Sequence, residues 1–444
     1  MSFRMNDGTP ARRAGRRLAR LAALVLALGS AGCELDLDNP NALSEEDVFT
    51  DPNGIVALAI GMQSQYATSF GDYARGPALI TDEWGSNTGS LASYQSLVSG
   101  QGFDRTFGVV DAPWSSTYRV VRTANSILSN LDGVDLDAGT ETGIRALART
   151  YKAMALGMSI MQYEKIPVDV TVENPVPQPR AVVLDSITAL LEAARTDLAS
   201  GPDLSTFQAR VLVPGIVLQD VINAMLARYY LLDAEYGKAI EAAQRVPLSG
   251  RSEFRYTGTS NNPIWNIAFS SIYVQPLASF RSRAEPGDQR VAYWAVETAT
   301  ASKGNPDSLL IPFRRYADRN APIPVYLPDE MRLIQAEAYA RTGNLPQART
   351  LINAVRTQCS STPATATEPV ACLPELAVDR LDTLDEVLDQ IAYERRYELF
   401  SQGLRWEDLR RLGTDNSVGA PPTLMWFPIP SQECRVNPAA ECVP

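Results

Sequence analysis

The sequence predicts a mostly α chain in which helical hairpins form a scaffold, with long irregular loops and little β structure. Three observations carry this. Apolar residues return at spacings of three and four through most of the chain, the period of a helix with one buried face. A small–aromatic–small triplet occurs twice at identical offsets, Ala227, Tyr230, Ala239 and Ala336, Tyr339, Ala348. Between the triplets, residues 247–328 lose the period and fill with turn residues and aromatics, a pattern of surface loops.

In chain order, a targeting segment comes first. Arg4, Arg12, Arg13, Arg16, Arg17 and Arg20 precede the apolar run from Leu21 to Leu28, after which small residues lead to Cys33. That run is too short to span a bilayer, and the basic, apolar, small order is that of an export signal. Residues 1–32 are assigned to a lipoprotein signal peptide, residues 33–52 to an acidic tether and residues 53–444 to the folded domain. Cys33 is the expected lipidation site, attaching the chain to a membrane through lipid.

Removing residues 1–32 takes away six arginines and Asp7, so the formal charge moves from -11 to -16. Phosphate binding wants a basic face, which excludes nucleic acid as a partner. With 45% hydrophobic and 20% charged residues, the remainder is globular with an extensive core. Histidine is absent, which removes a Ser-His-Asp triad, His-ligated zinc and a histidine pH switch.

Helical spacing marks residues 55–67, 118–131, 144–163 and 183–198. Residues 68–117, with glycines at 71, 76, 85, 89 and 100, read as loop-rich. Arg75, Asp82, Glu83, Trp84, Ser86, Asn87 and Tyr94 cluster there. The two triplets follow, each expected across a turn holding Gly237 or Gly343. A small residue lets helices approach, the aromatic fills the adjacent hole, and the next small residue belongs to the partner helix, as in a tetratricopeptide hairpin.

Four cysteines remain after Cys33. Outside the cytoplasm they should oxidise, and proximity favours Cys359 with Cys372 and Cys434 with Cys442, each loop contributing ~2 to 4 kcal/mol. The CxxC spacing of a zinc site is missing, so no metal is assigned.

Near the C-terminus, Thr383 and Glu386 make a capping box, and Leu384, Val387, Leu388 and Ile391 start an apolar stripe. Continued by threes and fours, the stripe runs onto Glu394, Arg395 and Glu398. Ionisable groups are tolerated there only when paired. A second short helix after Gly403 carries Arg405 and Asp408, so Glu394, Arg395, Glu398, Arg405 and Asp408 are expected to form an internally neutralised clasp. On this reading Glu398, at the centre of the stripe, neutralises a buried arginine. The rival, that these acids are glycosidase carboxylates, has the density of arginines against it.

The stretch ERRYELFSQGLRWEDLRRLG (394–413), the tail FPIPSQECRVNP (427–438), the lipoprotein-type N-terminus with Glu34, Asp36 and Asp38 after the cysteine, and the hairpins resemble the SusD/RagB family. These are surface lipoproteins that capture nutrients for a TonB-dependent transporter. The resemblance implies an outer-membrane, lipid-anchored, surface-exposed protein that binds an oligomeric nutrient, foremost a glycan, and delivers it to a SusC-like TonB-dependent outer-membrane transporter. It implies recognition without catalysis and without cofactor. Aromatic faces stack on sugar rings while amides, carboxylates and guanidinia take hydroxyls, so Arg75, Asp82, Trp84, Asn87 and Trp294 are the expected ligand contacts. A peptide-binding uptake lipoprotein of the RagB kind, a carboxylate-dependent hydrolase and a protein-docking scaffold are the alternatives.

Overall fold

The computed structural model describes residues 49–87, 89–100, 103–199, 201–296, 300–301, 309–412, 424–440 and 442. The signal peptide, Cys33 and the tether up to residue 48 lie outside these. The Asp51-Pro52 pair starts the first helix, α1 (Pro52–Ile80): the Asp51 side chain accepts from the Asn53 N–H at 3.0 Å, and Pro52 takes the first helical position. α1 runs a full turn-rich stretch beyond expectation, so Arg75 lies on a helix. Gly71 and Gly76 serve packing, not a turn. A Cβ at Gly71 would stand 2.9 Å from the Pro263 side chain, and one at Gly76 2.6 Å from the Phe427 ring.

α2 (Ala92–Ser99), α3 (Gly108–Asn130), α4 (Ala138–Ile160), α5 (Arg180–Ala199) and α6 (Ser205–Arg210) follow. α7 (Leu218–Leu232) and α8 (Tyr236–Gln244) form the first triplet hairpin, and α9 (Pro328–Arg341) and α10 (Leu345–Arg356) the second. α11 (Leu384–Glu398), α12 (Arg405–Leu412) and α13 (Ser431–Val436) complete the set. Successive helices pack in series: α1 on α3, α3 on α4, α4 on α5, α5 on α7, α7 on α8, α8 on α9, α9 on α10, and α11 against both α9 and α10. No helix among the described residues is long and apolar enough to cross a membrane.

The triplet residues do what their offsets require. Ala227, Ala239, Ala336 and Ala348 are fully buried. Each tyrosine reaches an earlier helix that packs on its own hairpin: the Tyr230 hydroxyl donates to Glu192 of α5 at 2.8 Å, and the Tyr339 hydroxyl accepts from Gln244 of α8 at 3.4 Å. The turn chemistry differs from expectation. Gly343 sits four residues after its tyrosine with φ +86°, but the equivalent position in the first hairpin is Ala234 at φ +59°. Gly237 lies inside α8.

Strands are short and paired antiparallel: β1 (Trp84–Ser86) with β5 (Val274–Pro276), β2 (Lys165–Ile166) with β3 (Gln178–Pro179), β4 (Glu253–Phe254) with β8 (Ile323–Pro324), and β6 (Thr300–Ala301) with β7 (Leu309–Leu310). The region between the hairpins is otherwise irregular, as its composition requires, with short helical turns at Pro263–Trp265, Ser279–Ser282 and Arg290–Trp294. Disulfides join Cys359 to Cys372 and Cys434 to Cys442.

Ala234 pays a left-handed penalty of ~1 kcal/mol that glycine does not. Ala234→Gly is expected to raise the melting temperature and Gly343→Ala to lower it. Identical melts for both variants and wild type would show that neither turn is strained.

Candidate functional site

The charged stripe near the C-terminus is buried, but its partners are drawn from across the chain. The capping box at Thr383 and Glu386 starts α11, and Glu394, about three turns into it, is fully buried. One Glu394 oxygen accepts from Arg356 Nη1 of α10 at 2.7 Å, the other from Arg290 Nη1 at 2.7 Å. Asp288 holds the far side of Arg290, and Glu285 holds Arg356. Arg395 pairs with Asp408 at 2.8 Å, joining α11 to α12, and Asp408 also takes Arg411. Arg411 and Arg341 both reach Glu337 of α9.

The self-contained clasp is therefore corrected in three places. Glu394 is neutralised by Arg290 and Arg356, outside the two helices. Glu398 stands 3.9 Å from Arg290, which already has Asp288 and Glu394 at 2.7 Å, so among the described residues it is the weakest of three partners to that arginine. Burial, then the nearby Asp329 carboxyl, push the Glu398 carboxyl well above the usual range, while Arg290 draws it down. Arg405 makes no ion pair among the described residues; it donates to the Ala392 carbonyl at 3.3 Å, and burial followed by the neighbouring Arg396 draws it down to about 10. Gly403 does not end α11, which caps at Leu399. At φ +75°, it lets the connecting turn approach the Tyr73 carbonyl of α1. Glu394, Glu398 and Asp408, the acids of the glycosidase reading, are all buried.

Of the expected ligand contacts, the two tryptophans are core. Trp84 is fully buried: its indole N–H donates to Ser401 Oγ at 2.8 Å and its ring meets Phe313 edge-on. Trp294 is fully buried too, with its N–H on the Tyr397 carbonyl at 2.8 Å. Both indoles clamp the C-terminal end of α11. Glycines beside Trp84 signalled a loop, but Gly85 is where the β1–β5 ribbon presses on Leu277 and Leu310, each 2.6 Å from a Cβ built there. Asp82, at φ +57°, faces Arg283 and Arg396, and burial is the main cause of its raised pKa.

Arg75 and Asn87 do come together, through two tyrosines that the ribbon positions. The Asn87 N–H donates to the Tyr273 carbonyl at 2.9 Å and its side-chain amide to the Ile272 carbonyl at 2.7 Å. Tyr273, half-buried, meets Tyr94 of α2 edge-on at 6.0 Å, and the Arg75 guanidinium lies 5.4 Å from the Tyr94 ring centre. Asp72 holds Arg75 at 3.0 Å and accepts from Ser116, which also receives Arg119. Ile272, 61% exposed, has φ +53°, a conformation that costs a β-branched residue ~1 to 2 kcal/mol. No sequence signal marks Ile272 as strained. Tyr273 was one aromatic among many in its region, and only the ribbon register singles it out. Among the described residues, no three Cys, Asp or Glu side chains converge as a metal site.

Residues 318–424 match the SusD family model. No curated protein matches the chain. Solved structures share the fold along nearly their whole length. A SusD superfamily protein from Bacteroides fragilis is 19% identical, with 89% of this chain and 100% of that one covered and a TM-score of 0.67. A putative sugar binding protein from Bacteroides vulgatus is 18% identical, covering 89% and 98%, with a TM-score of 0.66. A laminarin binding SusD-like protein is 17% identical, covering 89% and 99%, with a TM-score of 0.64.

Removing one partner of a buried pair costs ~3 to 5 kcal/mol. Glu394→Ala, which strips a carboxylate from two buried arginines, is expected to lose that much in denaturant unfolding. Glu398→Gln keeps the side-chain shape and leaves Arg290 with its two closer carboxylates, so it should melt close to wild type. Equal losses in the two variants would contradict the assignment of the charge to Glu394.

Proposed function

We propose, from the premise that this is a SusD-family chain, that it is a cell-surface lipoprotein that binds an oligosaccharide and delivers it to a SusC-like TonB-dependent transporter of the outer membrane. The observation that carries this reading is the patch of Arg75, Tyr94, Tyr273 and Asn87, with Ile272 held exposed beside it. A sugar ring has apolar C–H faces and a rim of hydroxyls. Tyrosine offers a ring and a polar handle, while amide and guanidinium donors suit hydroxyl oxygens. The tyrosine ring and Ile272 would take the apolar face, and Arg75 and Asn87 the rim. The described relatives named for sugar and laminarin binding support an oligosaccharide as the ligand class. The mechanism is capture and release, with no bond broken and no cofactor.

Tyr273→Ala should weaken binding of laminari-oligosaccharides, or of whichever neutral oligosaccharide wild type retains, by about thirtyfold, the effect of losing a hot spot. Its melting temperature should change little, since Tyr273 is half-buried. Trp84→Ala should do the reverse, losing ~3 to 5 kcal/mol of stability as a core deletion. Calorimetry and thermal melts on both variants decide it, and wild type that retains no oligosaccharide at all would end the reading.

Anchoring rests on Cys33 and the segment before it. The wild-type chain should sediment with outer membranes and copurify with a TonB-dependent barrel, and Cys33→Ser should free it from the membrane fraction. A variant that stays membrane-bound to the same extent counts against lipidation.

A further inference from the structure

The C-terminal segment that follows the signature lines a cavity of about 560 Å³, within the range of small-molecule sites. Phe427 fixes the segment. Its N–H donates to the Gln162 carbonyl at 2.8 Å, and its ring stacks on Phe103 at 5.9 Å and meets Trp406 edge-on at 5.0 Å. Trp426, one residue earlier, is half-buried and lines the cavity. It is held independently of any ligand: the guanidinia of Arg410 and Arg180 lie 3.8 Å and 5.5 Å from its ring centre. Glu407 grips both arginines, one on each oxygen, at 2.7 Å. Such a ring is positioned before a ligand arrives, which removes part of the ordering cost of binding.

Charge around this tryptophan runs against the rest of the chain. Arg105 and Lys165 line the cavity with one carboxylate, Glu164, and Arg180 and Arg410 on the ring share one carboxylate, Glu407. Among the described residues, four basic groups thus face two acidic ones in a protein whose formal charge is -11. Lys165, on β2, is exposed and its ammonium makes no ion pair among the described residues. Phe103, Met425 and Ile429 supply apolar wall. A wholly apolar ligand would leave the Lys165 ammonium unused, and a small inorganic anion would leave the aromatic wall unused. A pyranose ring bearing a carboxylate uses both.

We propose that this cavity is an acidic-sugar subsite, in which Trp426 and the apolar wall take the ring of a uronic acid unit and the Lys165 ammonium takes its carboxylate. The proposal rests on the oligosaccharide reading above and narrows its substrate class to glycans that carry uronic acids. It also predicts a dependence of affinity on salt for acidic ligands, because an exposed ammonium is screened within a Debye length.

The test is calorimetry on the full chain with trisaccharides of galacturonate, glucuronate and mannuronate, and with neutral laminaritriose. At least one acidic trisaccharide should bind wild type more tightly than laminaritriose does, and weaken as salt is raised. Lys165→Glu, a surface change that leaves folding alone, should weaken that acidic ligand about tenfold or more and leave laminaritriose as it was. Trp426→Ala should weaken the acidic ligand too, and Lys165→Glu keeps the test independent of whether that variant folds. Acidic binding untouched by Lys165→Glu, or laminaritriose bound with no acidic trisaccharide bound, overturns the subsite and leaves the oligosaccharide reading standing. If wild type binds neither class, the oligosaccharide reading falls and the subsite with it.

Discussion

Glu394 is one carboxylate between two buried guanidinia, and much of the fold's connectivity passes through it. Arg290 comes from the irregular region between the hairpins and Arg356 from the end of α10, while Glu394 itself lies on α11. Taking three charges out of water is costly unless each finds its partners, so the arrangement exists only when all three segments are in place together. Asp288 and Glu285 extend the same condition to residues 285–290. An irregular segment with little periodic structure of its own is thereby fastened to the helical array by charge, where a strand or helix would have used backbone hydrogen bonds.

Two indoles reinforce the same junction. Trp84 from β1 and Trp294 from the irregular region both end on the stretch from Tyr397 to Ser401, and Phe400 packs among Trp294, Phe313 and Phe280. Glu83, next to Trp84, is buried there as well, pushed up to about 8 mainly by burial, with its carboxylate receiving the Ser401 N–H. The signature stretch is thus the place where the N-terminal ribbon, the irregular region and the last helices meet. That explains why its residues are so polar and yet so little exposed.

The sequence made local devices visible and left tertiary choices hidden. The capping box at Thr383, the tyrosines of both hairpins and the absence of helical period over residues 247–328 are each decided within a few residues, and each could be read. Which arginine meets Glu394 is decided by folding, and neighbouring Arg405 was the natural guess where Arg290 and Arg356 are the answer. Glycine misled at three positions for one reason: at Gly71, Gly76 and Gly85 it permits close packing, which in sequence looks the same as a turn. Within the patch, Arg75 and Asn87 were legible as polar groups near aromatics, but Tyr273 enters only through the β1–β5 register.

Backbone strain separates what the ribbon uses for itself from what it leaves over. Three non-glycine residues in left-handed backbone surround it: Asp82 before β1, Ile272 before β5, and Ser401, which receives Trp84. Ser401 is buried, and its hydroxyl and N–H are both engaged by the ribbon. Asp82 faces two arginines. Compensation at those two positions is internal. Ile272 is different, because its carbonyl is held by Asn87 while its apolar side chain projects into solvent, gaining nothing from burial. A strained backbone that presents an uncovered β-branched side chain next to a half-buried tyrosine is the one position on the ribbon whose cost is not met within the fold. Contact with the apolar face of a ligand would meet it, which is why the proposed binding face lies at the turn before β5 and not at either tryptophan.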